Sequence, residues 1–220
     1  PASLAGIGAW RDGAVWWPFA DFFRRCGGSA LLILGLIACY RISDVVMGVM
    51  SNSFYVDLQF SKTEVATITK VYGVIMTLVG AALGGVLVMR FGTLRILFLG
   101  AVLTASTNLL FALLNEVGHD LELLTLIISL DNLSAGIATA AFVTYLSSLT
   151  NVAFSATQYA LFSSIMLLMP KLLAGFSGQV VEQIGYSSFF VGTSLLGIPV
   201  MILIIMVAKR GDALLPQADK

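Results

Sequence analysis

Charge is scarce in this chain. Only 11% of its 220 residues are Asp, Glu, Lys or Arg, where soluble domains carry about 25%. The twelve basic and twelve acidic residues cancel, and no long basic run offers a track for a phosphate backbone, so nucleic acid is not an expected partner. Histidine is nearly absent. The single His119 sits in a polar turn and reads as a solvated side chain rather than a metal ligand. Cysteine is limited to Cys26 and Cys39. Thirteen positions apart on one expected helix, they would be about 20 Å apart, far beyond disulfide reach. No metal-ligand spacing, phosphate-cradling glycine loop or Ser/His/Asp arrangement occurs, and no cofactor is implied. An enzyme would have to work through Asp44 or Asp131, which is the weaker reading. Position 1 is Pro rather than Met, so the chain is expected to be part of a longer one. No cleavable signal peptide is expected, because the first apolar run follows a Trp-rich segment and is too long.

Apolar residues fill the space that charge leaves. They make up 58% of the chain, and the mean hydropathy is +0.95, a balance that belongs to an integral membrane protein. A bilayer core needs about 20 apolar residues per helix. Six runs reach that length: Gly27–Phe54, Val65–Met89, Leu94–Leu114, Leu121–Leu149, Ser155–Val181 and Ser187–Ala208. The expected fold is all-α and polytopic. Residues 1–26 would form a cytoplasmic linker with aromatic rings at headgroup level, 27–209 a six-helix transmembrane bundle, and 210–220 a disordered cytoplasmic tail.

The turns differ in charge. Arg11, Arg24, Arg25, Arg90, Arg95, Lys209 and Arg210 fall on one side, while Lys62 is outnumbered by Asp57, Glu64, Glu116, Asp120, Glu122 and Glu182 on the other. Lys and Arg accumulate on the cytoplasmic side, so both ends of the chain should be cytoplasmic. Small residues at Gly80, Gly84 and Gly85, and at Ala174, Gly175 and Gly178, mark expected close-packing faces. Pro170 should kink the fifth helix.

Five ionisable residues interrupt the apolar runs: Arg41 and Asp44 on the first, Lys70 on the second, Asp131 on the fourth and Lys171 on the fifth. Each costs about 2.5–3.5 kcal/mol if it faces lipid at mid-depth. They are therefore expected to face one another or a wet cleft. Arg41 and Asp44 are spaced i,i+3 and can pair, with Tyr40, Met47 and Ser51 bordering them. Thr63, Thr67, Lys70 and Thr77 fall near one α-helical stripe, and Asn132 and Ser134 follow Asp131. Three cations against two carboxylates leave an excess of positive charge that an anionic solute can balance. A coupling carboxylate must be able to take up and release a proton. Asp44 has Arg41 beside it and should stay ionised as a partner, whereas Asp131 has no basic residue within a helical turn and is the better proton carrier. The alternative is that Asp131 pairs with Lys70 or Lys171 across the bundle.

Several stretches resemble the AmpG-type muropeptide permeases of the major facilitator superfamily, specifically their C-terminal half. These are "PFADFFRR" with "YRISDV", "ITKVYG", "DNLSAGIATAAFVTYLSSL", and "FSATQYALFSS" followed by the "PK" pair. "GGVLVMRFGTLR" is similar to the superfamily's Gly-x-Leu-x-Asp-Arg-Phe-Gly signature, with Met89 at the acidic position. The resemblance implies half of a twelve-helix carrier, with an N-terminal six-helix half as partner. It also implies proton-driven import of anionic anhydromuropeptides through the inner membrane for cell-wall recycling. The candidate substrate contacts are then Arg41, Lys70, Lys171, Tyr40, Asn132 and Gln158, with Asp131 and Asp44 in proton coupling. Ser155 and Gln158 also have a plain reading as a capping box. Competing readings are a carrier of another anion, such as acetyl-coenzyme A, and a membrane scaffold or sensor whose charges only pair.

Overall fold

A backbone among lipid tails must satisfy its own N–H and C=O groups, and a helix does so within one segment. The computed structural model describes residues 17–151 and 155–211, and among them no strand occurs. Helix α1 (17–26) runs through a short 3-10 turn, Gly27–Ser29, into α2 (Ala30–Cys39). After Tyr40 and Arg41 the chain resumes as α3 (Ile42–Asp57). The second span joins α4 (Lys62–Thr67), a π turn (Ile68–Gly73) and α5 (Val74–Phe91). Then come α6 (Thr93–Val117), α7 (Leu121–Leu149), α8 (Ser155–Ala174), α9 (Ser177–Leu195) and α10 (Gly197–Gly211).

The expected breaks carry their own chemistry. Ser61 and Glu64 form a reciprocal capping box that opens α4, and the Asp120 carboxylate accepts from the backbone N–H groups of Glu122 and Leu123 to open α7. Gly92 and Gly118 reverse the chain at φ 86° and 89°, values that disfavour any residue with a Cβ.

By length and composition, five helical stretches can cross a membrane: Trp17–Asp57, Lys62–Phe91, Thr93–Val117, Leu121–Leu149 and Ser177–Arg210. The fifth of the six expected runs is the exception. It is built from α8 and the start of α9, and α8 is diluted by Gln158, Lys171 and several hydroxyls. The helix runs through Pro170 and is interrupted afterwards, at Gly175 and Phe176. Gly185, at φ 76°, then separates this run from the next.

Close backbone approach joins α5 to α7. A Cβ on Gly80 would lie 2.2 Å from the Leu133 carbonyl oxygen, and one on Gly136 would lie 2.4 Å from that of Thr77. Gly85 and Gly178 face open space instead, so the small-residue face is narrower than expected. Of the second expected face, Ala174 is buried.

The apolar interior falls into two clusters. One is built around Leu36, Ile37, Leu97, Ala141, Phe142 and Phe162. The other is built around Phe54, Phe111, Leu114, Ile127 and Phe190. Helices α6 and α7 contribute to both clusters, and polar residues lie between their two contributions, Thr104, Thr107 and Asn108 on α6 and Asp131 and Ser134 on α7.

Candidate functional site

The polar residues between the two cores come from four directions. Arg41, Ser43 and Asp44 lie where α2 gives way to α3, Thr104, Thr107 and Asn108 on α6, Asp131 and Ser134 on α7, and Thr193 and Ser194 on α9. They form a belt at mid-length of the spans.

The first span is not one helix. It breaks at Tyr40 and Arg41, which puts Arg41 just beyond the C-terminus of α2 and Asp44 in the first turn of α3. A cation beside a helix C-terminus and an anion at a helix N-terminus each meet a favourable partial charge. Their side chains pair as the i,i+3 spacing predicts, Arg41 Nη2 donating to Asp44 Oδ2, and Arg41 Nη1 donates to Thr139 Oγ1 at 3.3 Å. About a quarter of each side chain stays accessible, 28% for Arg41 and 25% for Asp44. Both line a cavity with Tyr40, Thr104 and Thr139. Its volume is ≈ 20 Å³, room for about one water molecule. That cavity does not hold a solute larger than a water molecule.

Asp131 lies across the belt and accepts a hydrogen bond from Thr107 Oγ1 at 2.9 Å. The ion pairs among the described residues are Arg25–Asp21 and Arg41–Asp44. The alternative pairing of Asp131 with Lys70 or Lys171 is therefore not formed. Beside this site runs a buried network that the sequence reading missed. Asn108 Nδ2 donates to Ser43 Oγ at 2.8 Å and to Thr193 Oγ1 at 3.3 Å, while Ser43 Oγ donates to the Thr193 carbonyl at 2.7 Å. Only the recurrence of a polar residue in apolar helices could have signalled it.

The other proposed cargo contacts have different surroundings. Tyr40 is buried, donates to the Leu97 carbonyl at 3.1 Å and stacks on Phe142 with ring centroids 4.5 Å apart. Asn132 spends its amide within the bundle, Nδ2 donating to the Ile128 carbonyl and Oδ1 accepting from Thr77. Gln158 lies at the other end of the chain fold and is 1% exposed. It donates to the Pro18 carbonyl at 2.9 Å and to Asp21 Oδ2 at 3.2 Å, and it accepts from the Asn151 N–H at 2.7 Å. Arg25 completes this clip by donating to the Leu149 carbonyl. The partner residues stand too far away in sequence for a capping-box reading to have shown them. Lys70 and Lys171 are exposed and do not line the Arg41 cavity. His119 is exposed and stacks on Phe60, its Nδ1 3.2 Å from the Leu58 carbonyl.

A bundle of apolar helices with a polar belt at mid-depth has counterparts among known proteins. Residues 31–219 match the family described as Major Facilitator Superfamily. The chain belongs to that superfamily, and it is a multi-pass membrane protein. It is 33% identical over 193 residues to a Rickettsia felis protein designated AmpG 4, covering 88% of this chain and 46% of that relative. It is 32% identical over 194 residues to the anhydromuropeptide permease of Escherichia coli K12, covering 88% and 39% respectively. The resemblance read from the motifs thus extends along most of the chain. The chain spans less than half the length of these curated relatives.

Proposed function

We propose that this chain is one half of a proton-driven carrier that imports anionic anhydromuropeptides, GlcNAc-anhydroMurNAc peptides, across the inner membrane, with both of its ends cytoplasmic. The observation that carries the reading is the accessible Arg41–Asp44 pair at the break of the first span, in a chain related to a permease for that cargo. Such a cargo bears several carboxylates and many sugar hydroxyls. Arg41, Lys70 and Lys171 supply cations for the first, and Thr104 and Thr139 supply hydroxyls for the second. The ≈ 20 Å³ cavity is too small for a disaccharide peptide, so the cargo lies between this bundle and an N-terminal six-helix half.

Within this scheme the residues divide by their partners. Arg41, Lys70 and Lys171 meet cargo. Asp44 holds Arg41 in place. Asp131 carries the proton, with Thr107 able to serve either protonation state by turning its hydroxyl. Tyr40, Asn132 and Gln158 position the helices that present these groups.

Uptake of labelled GlcNAc-anhydroMurNAc-tripeptide by right-side-out vesicles carrying the full-length carrier tests the reading. Accumulation should follow an inward proton gradient, collapse with a protonophore, and be lost in Arg41→Ala. Uptake of acetyl-coenzyme A in its place would overturn the cargo assignment, and uptake of neither would favour the scaffold.

A further inference from the structure

The second span changes helical pitch part-way along. The π turn Ile68–Gly73 lies between α4 and α5, and such a turn takes in one residue more than an α turn. What precedes it is therefore rotated by about 100° relative to an unbroken helix. In an unbroken helix Lys70 and Thr77, seven apart, would share a face. In the fold Lys70 lies inside the π turn, so the α-helical spacing between the two is not kept. Thr77 Oγ1 faces α7 and donates to Asn132 Oδ1 at 3.0 Å, while Lys70 is exposed.

The two arms of this span are held unequally. On the α5 side, Gly80 and Gly136 let the backbones of α5 and α7 touch. At the turn itself, the Asn132 amide lies against Gly73, where a Cβ would stand 3.3 Å from Nδ2. Thr77 also donates to the Gly73 carbonyl at 2.9 Å, and Thr69 Oγ1 caps the Val65 carbonyl at 2.7 Å. These are i−4 back-bonds of the kind Ser and Thr hydroxyls make inside helices. On the α4 side, Lys62, Thr63, Thr67 and Lys70 are all exposed. Thr63 and Thr67, four apart on α4, put hydroxyls on one exposed face.

We propose that Thr77 and Asn132 are positioning residues for Lys70: by pinning the end of the π turn at Gly73 they aim its ammonium group away from α7, onto the side where an anionic group of the cargo is met. The cargo part rests on the carrier reading above; the aiming does not. Neither Thr77 nor Asn132 touches cargo in this scheme, because the amide and hydroxyl face each other.

Two measurements on the full-length carrier, in a Cys26→Ala, Cys39→Ala background, separate these claims. The first reads geometry alone. Lys70→Cys should react quickly with a charged, membrane-impermeant thiosulfonate. Adding Thr77→Val with Asn132→Ala should slow it about tenfold, and so should deletion of Val71, which restores an α-helical register. A Cys at Val117 that labels normally shows that each variant has folded. Unchanged labelling of position 70 in the folded double variant overturns the aiming. The second reads transport of GlcNAc-anhydroMurNAc-tripeptide. Asn132→Ala and Lys70→Ala should each raise KM about tenfold with the maximal rate retained, the range of one lost charge-assisted hydrogen bond. Combined, they should be no worse than Lys70→Ala alone, because both remove one interaction. Additive effects would make Asn132 an independent contact. A Lys70→Ala carrier with unchanged KM would make Lys70 a lysine that only reaches the headgroups. A carrier that takes up no muropeptide at all, yet passes the labelling arm, fails the cargo reading and leaves the aiming intact.

Discussion

Asp131 and Arg41 occupy one polar belt but have opposite needs. Among the described residues Asp131 has a hydroxyl partner and no cation, so it can lose or gain a proton without breaking an ion pair. Asp131→Asn should therefore abolish uphill uptake driven by a pH gradient while leaving exchange of cargo across the membrane near its normal rate. Counterflow and gradient-driven uptake in the same vesicles check this. A mutant that still concentrates cargo would move the coupling site to the other half. Arg41 is tied to Asp44, and a pair that only fixed the helix break would work in either polarity. Exchanging the two, Arg41→Asp with Asp44→Arg, should leave the carrier folded but without uptake, because the cargo carboxylate then meets an anion. Thermal unfolding and tripeptide uptake, measured side by side, distinguish the two roles. Recovery of uptake in the exchanged carrier would reduce the pair to scaffolding.

At the scale of the element, the contact between α5 and α7 depends on missing side chains. Gly136→Val would push a side chain into the Thr77 carbonyl and should cost about 1–3 kcal/mol or more, the usual range for overpacking. Gly85→Ala, on the same helix as Gly80 but facing open space, should be neutral. Thermal unfolding of the purified carrier in detergent compares them. The α5 side of this contact was legible in sequence, in Gly80 and Gly84, because small residues at four-residue spacing have a physical meaning in lipid; Gly136 and the partner helix were not. So were the extents of most spans and the i,i+3 pair, since run length and helical period are local quantities. Two features were not. The break at Tyr40 and Arg41 has no glycine or proline to announce it, and the π turn hides inside a run that reads as continuous helix. Spacing arguments assume about 100° per residue throughout, so the stripe that joined Lys70 to Thr77 failed where the pitch changed. Gln158 was misread for another reason. Its partners, Pro18 and Asp21, lie on a segment that no local pattern connects to α8.

The whole molecule has an orientation that the loops should report. The proposed orientation, with both ends cytoplasmic, puts the turn after α5 and the turn after α6 on opposite sides. Gly92 and Gly118 are poor places for a reporter, because their positive φ would strain a cysteine. Met89→Cys and Val117→Cys are better, being 82% and 54% exposed in the native side chains. An impermeant thiol reagent added to intact cells should label position 117 and spare 89, and labelling of both from outside would refute the arrangement. The clip around Gln158 also constrains the order in which the molecule comes together. Pro18 and Gln158 are 140 residues apart, and a ribosome adds about 5–20 residues per second. Roughly 7–30 s therefore pass between the synthesis of α1 and that of the glutamine that fastens it. Throughout that interval Phe22 lacks Phe162, the ring it meets edge-on at 5.0 Å in the finished fold. The first helix of the nascent chain must wait with its apolar face against lipid or the insertion machinery, and α1 is held by this clip only when the fifth span arrives.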